Sequence, residues 1–385
     1  MNRPPISRRC LLVSGVAAAA CSRPKAQRFF GYCFVANRDS HSIAVVDLTR
    51  FRTRRQIPLD AAPSQVLARP KTTQAYVLAP GNGTIYEVEA SLLTITRRVR
   101  AGNTAIAMRL SRSGDALWVL YRDPASLVEI RFEDMRPGRR IRLPAPPVDF
   151  DLCRETDEAC VVATSARTIA VVSLAKSSVS RTIQAATEPS IARFRMDGSQ
   201  LITGSQADRS LTIYDVPTGK TVVRLPLSIA PREFCFTADG GHLYVSGDGM
   251  DAVVSVFPYR TEVWETLLAG HAPGAMAIAE SDRPPAYLLV ANPDADRVTV
   301  LDVETGNLVA LVQVGNEPRS IVITPDNEYA LVLNEKSGDM AVIRIFSLGG
   351  NQVGGDRVKR YKSAPLFTMI PVGERPVSAA VVALV

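Results

Sequence analysis

Histidine is scarce in this chain: only His41, His242 and His271 occur in 385 residues. They sit in unrelated sequence contexts, so no symmetric set of imidazole ligands can form, and each reads as a surface or turn residue. The haem attachment pattern Cys-x-x-Cys-His is absent, and so is a Gly-x-Ser-x-Gly nucleophile elbow. No glycine loop of the phosphate-cradling kind opens a helix. The cysteines lack the paired spacing of zinc sites. Asp294-Ala-Asp296 offers few of the six or more oxygens that calcium takes, and reads as a turn. These gaps leave no catalytic residue, no metal and no cofactor to expect. Helical periodicity is also missing, and no apolar run is long enough to span a bilayer as an ordinary helix. The net charge is +7, and removal of Arg3, Arg8 and Arg9 with a leader leaves about +4, too mild to argue for nucleic acid. No basic stripe interleaved with aromatics points to it either.

What is present begins with the first thirty residues. A short basic stretch, the apolar run 11–20 and Ala18-Ala-Ala-Cys21 have the layout of a signal peptide. Ser7-Arg-Arg-Cys-Leu-Leu12 resembles a twin-arginine export signal, with Arg8 and Arg9 as the pair. Cys21 resembles the lipidated cysteine of a bacterial lipobox, although Ala18 stands where Leu is usual, which leaves ordinary signal-peptidase cleavage open. The expected division is a leader 1–21, a tether 22–31 and one folded domain 32–385. That reading places the mature protein in the cell envelope, periplasmic or outer-surface, as a membrane-anchored lipoprotein.

Beyond the leader the same phrase recurs. A proline-led apolar segment opens at Pro63, Pro147, Pro189, Pro231, Pro273, Pro318 and Pro376, with Ala105 in the remaining slot. From Ala105 to Pro273 the step is 42 residues each time. Each unit continues through an Asp/Gly turn, a second strand such as Ala75-Tyr-Val-Leu-Ala79, a third such as Ser210-Leu-Thr-Ile-Tyr-Asp215, and a fourth that returns to the next proline. The segments are rich in Val, Ile, Leu and Thr, so the class is all-β. Self-similarity near 40 residues with four short strands per unit predicts a β-propeller of four-stranded antiparallel blades.

Eight second strands predict eight blades; seven blades with one degenerate repeat outside the ring is the alternative. The first unit lacks its proline-led strand, while Pro376-Val-Ser-Ala-Ala-Val-Val-Ala383 is such a strand with nothing after it. Pairing them closes the ring and removes an open sheet edge. An insertion at 347–364 interrupts the last full unit, with basic residues at 356–362. It reads as a solvated hairpin loop, or as a docking finger for an anionic partner or lipid headgroup surface.

Pro318-Arg-Ser-Ile-Val-Ile-Thr-Pro-Asp-Asn-Glu-Tyr-Ala-Leu-Val-Leu-Asn and Tyr287-Leu-Leu-Val-Ala-Asn resemble the YVTN-type (YncE-like) propeller repeat of bacterial and archaeal surface and periplasmic proteins. The resemblance covers nearly all of the chain after the leader. It implies the fold and an exported location, but its motif residues are structural and name no ligand.

Cys10 lies in the leader, and Cys33 and Cys235 read as core. Cys153 and Cys160 flank the turn 154–159 and could bridge across an antiparallel pair, or remain two buried thiols. Propeller ligands usually meet loops around the axis, which nominates Arg38, His41, Arg232, Asp294, Asp296 and Arg319 as a candidate face. Asp39, Asp208 and Asp248 lie in the same class of loop. The function expected is an exported, monomeric binding or scaffold module for an envelope protein or small ligand. The alternatives are a periplasmic lactonase-like propeller enzyme and an accessory subunit of a redox enzyme.

Overall fold

Within each repeat the burial pattern runs from half-buried to fully buried to exposed, and that gradient is the fold in miniature. Tyr329–Asn334 and Ser42–Asp47 are buried at every position. A strand can be apolar on both faces only if its sheet is sandwiched between two others. Arg52–Pro58, by contrast, is exposed or half-exposed except at Ile57. The computed structural model describes residues 29–280, 285–348 and 364–384. The leader, the tether up to residue 28, and the insertion with its basic segment 356–362 lie outside the described residues.

The strands form eight sheets of four. Blade 1 combines residues 31–58 with the final strand, and blades 2 to 8 are residues 65–100, 104–142, 149–184, 191–226, 230–268, 276–313 and 318–371. All pairings are antiparallel, and the inner strands neighbour one another around the axis. The eight-blade count therefore holds over the seven-blade alternative.

Closure is as the repeat arithmetic predicts. Pro376–Ala383 is the inner strand of blade 1, paired from Gly31↔Ala383 to Asn37↔Pro376. The Leu384 N–H then donates to the Phe30 carbonyl (2.9 Å). Ala379, Ala380 and Val382 enter the cores on either side of that sheet. Hydrophobic clusters alternate with blades round the ring, each formed by facing sheets, such as Leu289, Val300, Val332 and Ile343 between blades 7 and 8.

Turn chemistry repeats with the blades. In Thr324-Pro-Asp-Asn327, the Thr324 hydroxyl donates to Asp326 (2.6 Å) and accepts the Tyr329 N–H (3.0 Å). Thr237 and Asp239 make the same pair in blade 6 (2.6 Å). Asn327 and Gly240 hold the positive φ (55° and 70°) that such a turn needs and that Asn and Gly tolerate. Every blade also carries a register shift between its third and outer strands, for example at Val45/Val46 and Val300/Leu301. These bulges add twist where the sheet reaches the rim.

Candidate functional site

Inner strands bond on one edge only, so their other edge faces the axis with N–H groups to satisfy. Side chains from the preceding blade do this. Ser378 accepts the Val66 N–H (3.1 Å), and Gln65 accepts the Met108 N–H (2.9 Å) while donating to its carbonyl (3.0 Å). At blade 4 the acceptors are carboxylates: Asp149 takes the Ala192 N–H (3.2 Å) and Asp151 the Phe194 N–H (3.1 Å).

The cross-strand register aligns equivalent positions of the eight inner strands in two layers. One layer, at the slot of Asp149, holds Ser378, Gln65, Ala107, Asp149, Ile191, Glu233, Ala275 and Ser320. The next, two residues on, holds Ala380, Leu67, Arg109, Asp151, Arg193, Cys235, Ala277 and Val322. The lumen is therefore two-sided. All the carboxylates and guanidiniums in these layers come from blades 3 to 6, and blades 7, 8 and 1 contribute the small uncharged side chains Ala275, Ala277, Ser320, Val322, Ser378 and Ala380.

On the charged side, Arg193 donates to Asp149 (2.6 Å) with side chains 21% and 17% exposed. Arg109 lies 4.0 Å from Asp151 and its guanidinium stacks over Phe150 (5.7 Å). Burial pushes Asp151 above the usual carboxylate range, although Arg193 and Arg109 oppose it. Glu233 is raised for the same first reason, burial, with Arg193 lowering it in part. Glu233 is nonetheless exposed in surface area. The two facts agree for a side chain that touches solvent inside a lumen walled by protein. Burial, then the like charge of Arg193, weakens the hold of Arg109 on its proton. Arg193 keeps its proton more firmly because Asp149 and Asp151 outweigh its burial. The cluster carries two guanidiniums and three carboxyls, two of which protonate more readily than in water.

The loop face nominated from sequence is built differently. Arg232 is paired with Asp248 (2.5 Å) and Arg319 with Glu317 (2.6 Å), at half-exposed positions. Asp296 accepts the Glu317 N–H (2.8 Å) and so ties blade 7 to blade 8. Asp294 sits in the short helix Pro293–Ala295. Arg38 donates its backbone N–H to the Arg375 carbonyl (2.9 Å), and His41 holds a positive φ (45°) in the same turn. Arg375 adds contacts to Glu335 (3.5 Å) and Asp39 (3.9 Å). Arg319 also lies 3.7 Å from Glu335, so Asp296, Glu317, Arg319, Glu335, Arg375 and Asp39 form one chain of contacts across blades 7, 8 and 1, while Arg232 and Asp248 of blade 6 stand as a separate pair. Asp208 bonds with Ser205 (3.0 Å) in the turn of blade 5. The signal for the axial cluster lies in the 42-residue step, which places Arg109, Asp151 and Arg193 in one slot.

Cys153 and Cys160 are free thiols in this structure, so the bridge expected as one of two readings is not formed. Asp151 stands opposite Cys160, and the Cys153 N–H bonds the Glu158 carbonyl (2.9 Å), so the two cysteines are not cross-strand partners. Among the described residues no group of three or more His, Cys, Asp or Glu could hold a metal ion.

Residues 223–351 match the family described as "Lactonase, 7-bladed beta-propeller", which covers about a third of the chain. A curated relative, the "Seven-bladed beta-propeller protein Rv1057" of Mycobacterium tuberculosis, is 24% identical over 151 residues. The match spans 38% of each chain, so well under half of that relative's length is covered. Among solved structures, dihydro-heme d1 dehydrogenase NirN in complex with DHE superposes with a TM-score of 0.73 at 15% identity, over 94% of this chain and 78% of that one. Hydrazine synthase of Kuenenia stuttgartiensis gives 0.58 at 19% identity, over 73% and 95%. At such identities the likeness to solved structures is one of fold, a β-propeller.

Proposed function

We propose that this chain is an exported, lipid-anchored envelope protein whose propeller lumen binds a small solute with one charged or strongly polar end and an apolar body. The observation that carries this reading is the division of the lumen into a charged half on blades 3 to 6 and an uncharged half on blades 7, 8 and 1, walled by small side chains of which four of six are apolar. Pockets of this kind take orientation from a few convergent polar groups and affinity from apolar wall. Arg109 is the natural anchor for the polar end, because among the described residues the one carboxylate within ion-pair distance of it, Asp151, is 4.0 Å away and carries a raised pKa. Export and anchoring rest on Arg8, Arg9 and Cys21 in the leader.

The test is a binding screen of purified protein against hydroxy acids, their lactones and short acyl carboxylates by isothermal calorimetry. A hit whose affinity falls at least tenfold in Arg109→Leu and is untouched by Arg319→Leu supports the lumen. A hit that responds to Arg319 and not to Arg109 moves the site to the loop face and overturns this assignment.

A second reading is favoured by the family match over 223–351, which includes Glu233. Here the bound solute is a lactone: water adds to its carbonyl carbon, the ring C–O bond breaks, and a hydroxy acid forms. A guanidinium would steady the carbonyl oxygen while Glu233 handles the proton. Turnover of simple lactones, lost in Glu233→Gln with the fold intact, separates this enzyme from a binding module.

A further inference from the structure

The outer strands of successive blades differ sharply in charge. Arg52–Pro58, Thr94–Arg100 and Arg136–Arg142, on blades 1 to 3, carry three, three and four arginines with no Asp or Glu. Blades 4 and 5 carry one arginine each. Blade 6 carries Glu262 and Glu265, and the outer strands of blades 7 and 8 carry no charge at all. Those last three instead present exposed Trp264, Leu268, Leu308, Leu311 and Met369. Net charge is modest for the whole chain, yet the rim is strongly polarised.

Part of the basic arc is internally spent. Arg97 is held by Glu87, Arg139 by Glu129, and Arg98 lies 3.4 Å from Asp60. Arg52, Arg54, Arg55, Arg100, Arg136 and Arg142 are exposed and have no carboxylate within ion-pair distance among the described residues. A second feature lies on the same arc. Between blades 2 and 3 a groove of about 720 Å³ is lined by Arg100, Arg140 and Arg142, with Gly102, Asn103 and Ser126 as further polar walls and no acid. Arg100 donates there to the Gly102 carbonyl (3.3 Å) and Asn103 (2.9 Å), and Arg140 to Ser126 (3.2 Å) and the Ala101 carbonyl, neutral acceptors that the oxygens of a phosphate, which arginine binds bidentately, would replace.

We propose that this arc is a docking surface for anionic phospholipid headgroups, with the groove taking a phosphate. The position of the chain's start within the propeller argues for lipid over other polyanions. The Thr49 hydroxyl donates to the Phe29 carbonyl (3.3 Å), which fixes the chain beside the turn that opens the arginine strand of blade 1. Phe30 next to it is 62% exposed. This argument rests on the anchored reading above: a lipid on Cys21 would hold blade 1 within about 30 Å of the bilayer, since each residue spans at most ~3.6 Å. The several acyl chains of a lipobox cysteine anchor the chain by themselves, and a basic patch held against the same surface adds an independent, salt-sensitive attraction that orients the propeller. Attraction to an anionic surface is worth a factor of about five per arginine within a Debye length.

The experiment uses the full chain carrying Cys21→Ala, so that no lipid is attached, in flotation with vesicles of phosphatidylcholine alone or with phosphatidylglycerol. Expected is binding to the phosphatidylglycerol vesicles only, weakened by salt. Reversal of three arginines on blade 1 (R52E, R54E, R55E) should lower it by at least about a hundredfold, the loss expected from neutralising them alone. Arg100→Glu with Arg142→Glu should lower it as well, and the milder Arg→Gln set should do so partially if the reversals disturb folding. Reversal of Arg181, Lys220 and Arg260, on the other blades, should have little effect. Equal binding to neutral vesicles, no binding, or indifference to the blade 1 reversals overturns the proposal. Capture of an acidic protein without vesicle binding overturns the lipid assignment. Anchoring is read separately, by membrane fractionation of the wild type, so either idea can fall while the other stands.

Discussion

At the scale of single residues, the axial cluster makes the sharpest demands. Asp149 accepts both a guanidinium and a backbone N–H that faces the lumen. Asp149→Ala strands both, and removing one member of so buried a pair costs about 3 kcal/mol; Asp149→Asn, which keeps an oxygen, should cost less. Chemical denaturation of the two variants checks this. Glu233 and Asp151 have folded values above their unfolded ones. Their support for the fold is thus complete at pH below the unfolded carboxylate range and is withdrawn as pH rises through the raised values. Glu233→Gln should flatten that decline in a pH series of denaturation curves. Asp197 behaves oppositely: Arg195 beside it holds it down to about 2, so its support exists above the usual aspartate range and is lost as pH falls toward 2. Burial also pushes the Cys33 and Cys235 thiols up to about 12. In native protein they should stay inert to a thiolate-seeking reagent at pH 8 and react after unfolding. Rapid labelling of Cys33 in native protein would contradict its buried place in the sheet.

At the scale of elements, strands were legible because their apolar runs and Asp/Gly turns recur, and turns such as 324–327 fold as their residue types require. What a single strand does not show is which neighbour covers it. Thr94–Arg100 and Tyr329–Asn334 are both strands, yet one lies on the rim and the other is sealed on both faces. The seal makes close approaches unforgiving. A Cβ on Gly247 would lie 1.9 Å from the Ala230 carbonyl, so Gly247→Ala should cost about 1–3 kcal/mol through displacement of the inner strand of blade 6. The closing strand is the other exposed dependency. Truncation after Arg375 removes Ala379, Ala380 and Val382 from two cores and leaves Gly31–Asn37 as an open edge. Loss of monomer in size-exclusion chromatography and a large fall in melting temperature are expected. A monomeric truncate that melts as the full chain does would refute closure by this strand.

At the scale of the whole molecule, two asymmetries are laid over a nearly symmetric ring. The lumen is charged on one side and uncharged on the other, and the rim is basic over blades 1 to 3 while the outer strands of blades 6 to 8 carry no basic residue and expose large apolar side chains. Neither is visible as a local motif. Arg109, Asp151 and Arg193 are 42 residues apart in sequence, and Arg52, Arg97 and Arg139 belong to separate repeats. If the leader anchors the protein, Cys21→Ala should move it from the membrane to the soluble fraction of lysed cells and change the mature mass by the lipid. An unchanged mass and distribution would remove the anchor from the proposal.

The sequence by itself determined the repeat, the strand order within a blade, the count of eight and the joining of the two ends. Each follows from short-range patterning, or from the need of an unpaired strand to find a partner. Only the tertiary structure decided which charges meet. A circular array brings the same slot of successive repeats to one axis and the outer strands of successive repeats to one arc. That is a property of closure in space: the 42-residue step puts such residues in one slot, but no single repeat shows that they meet.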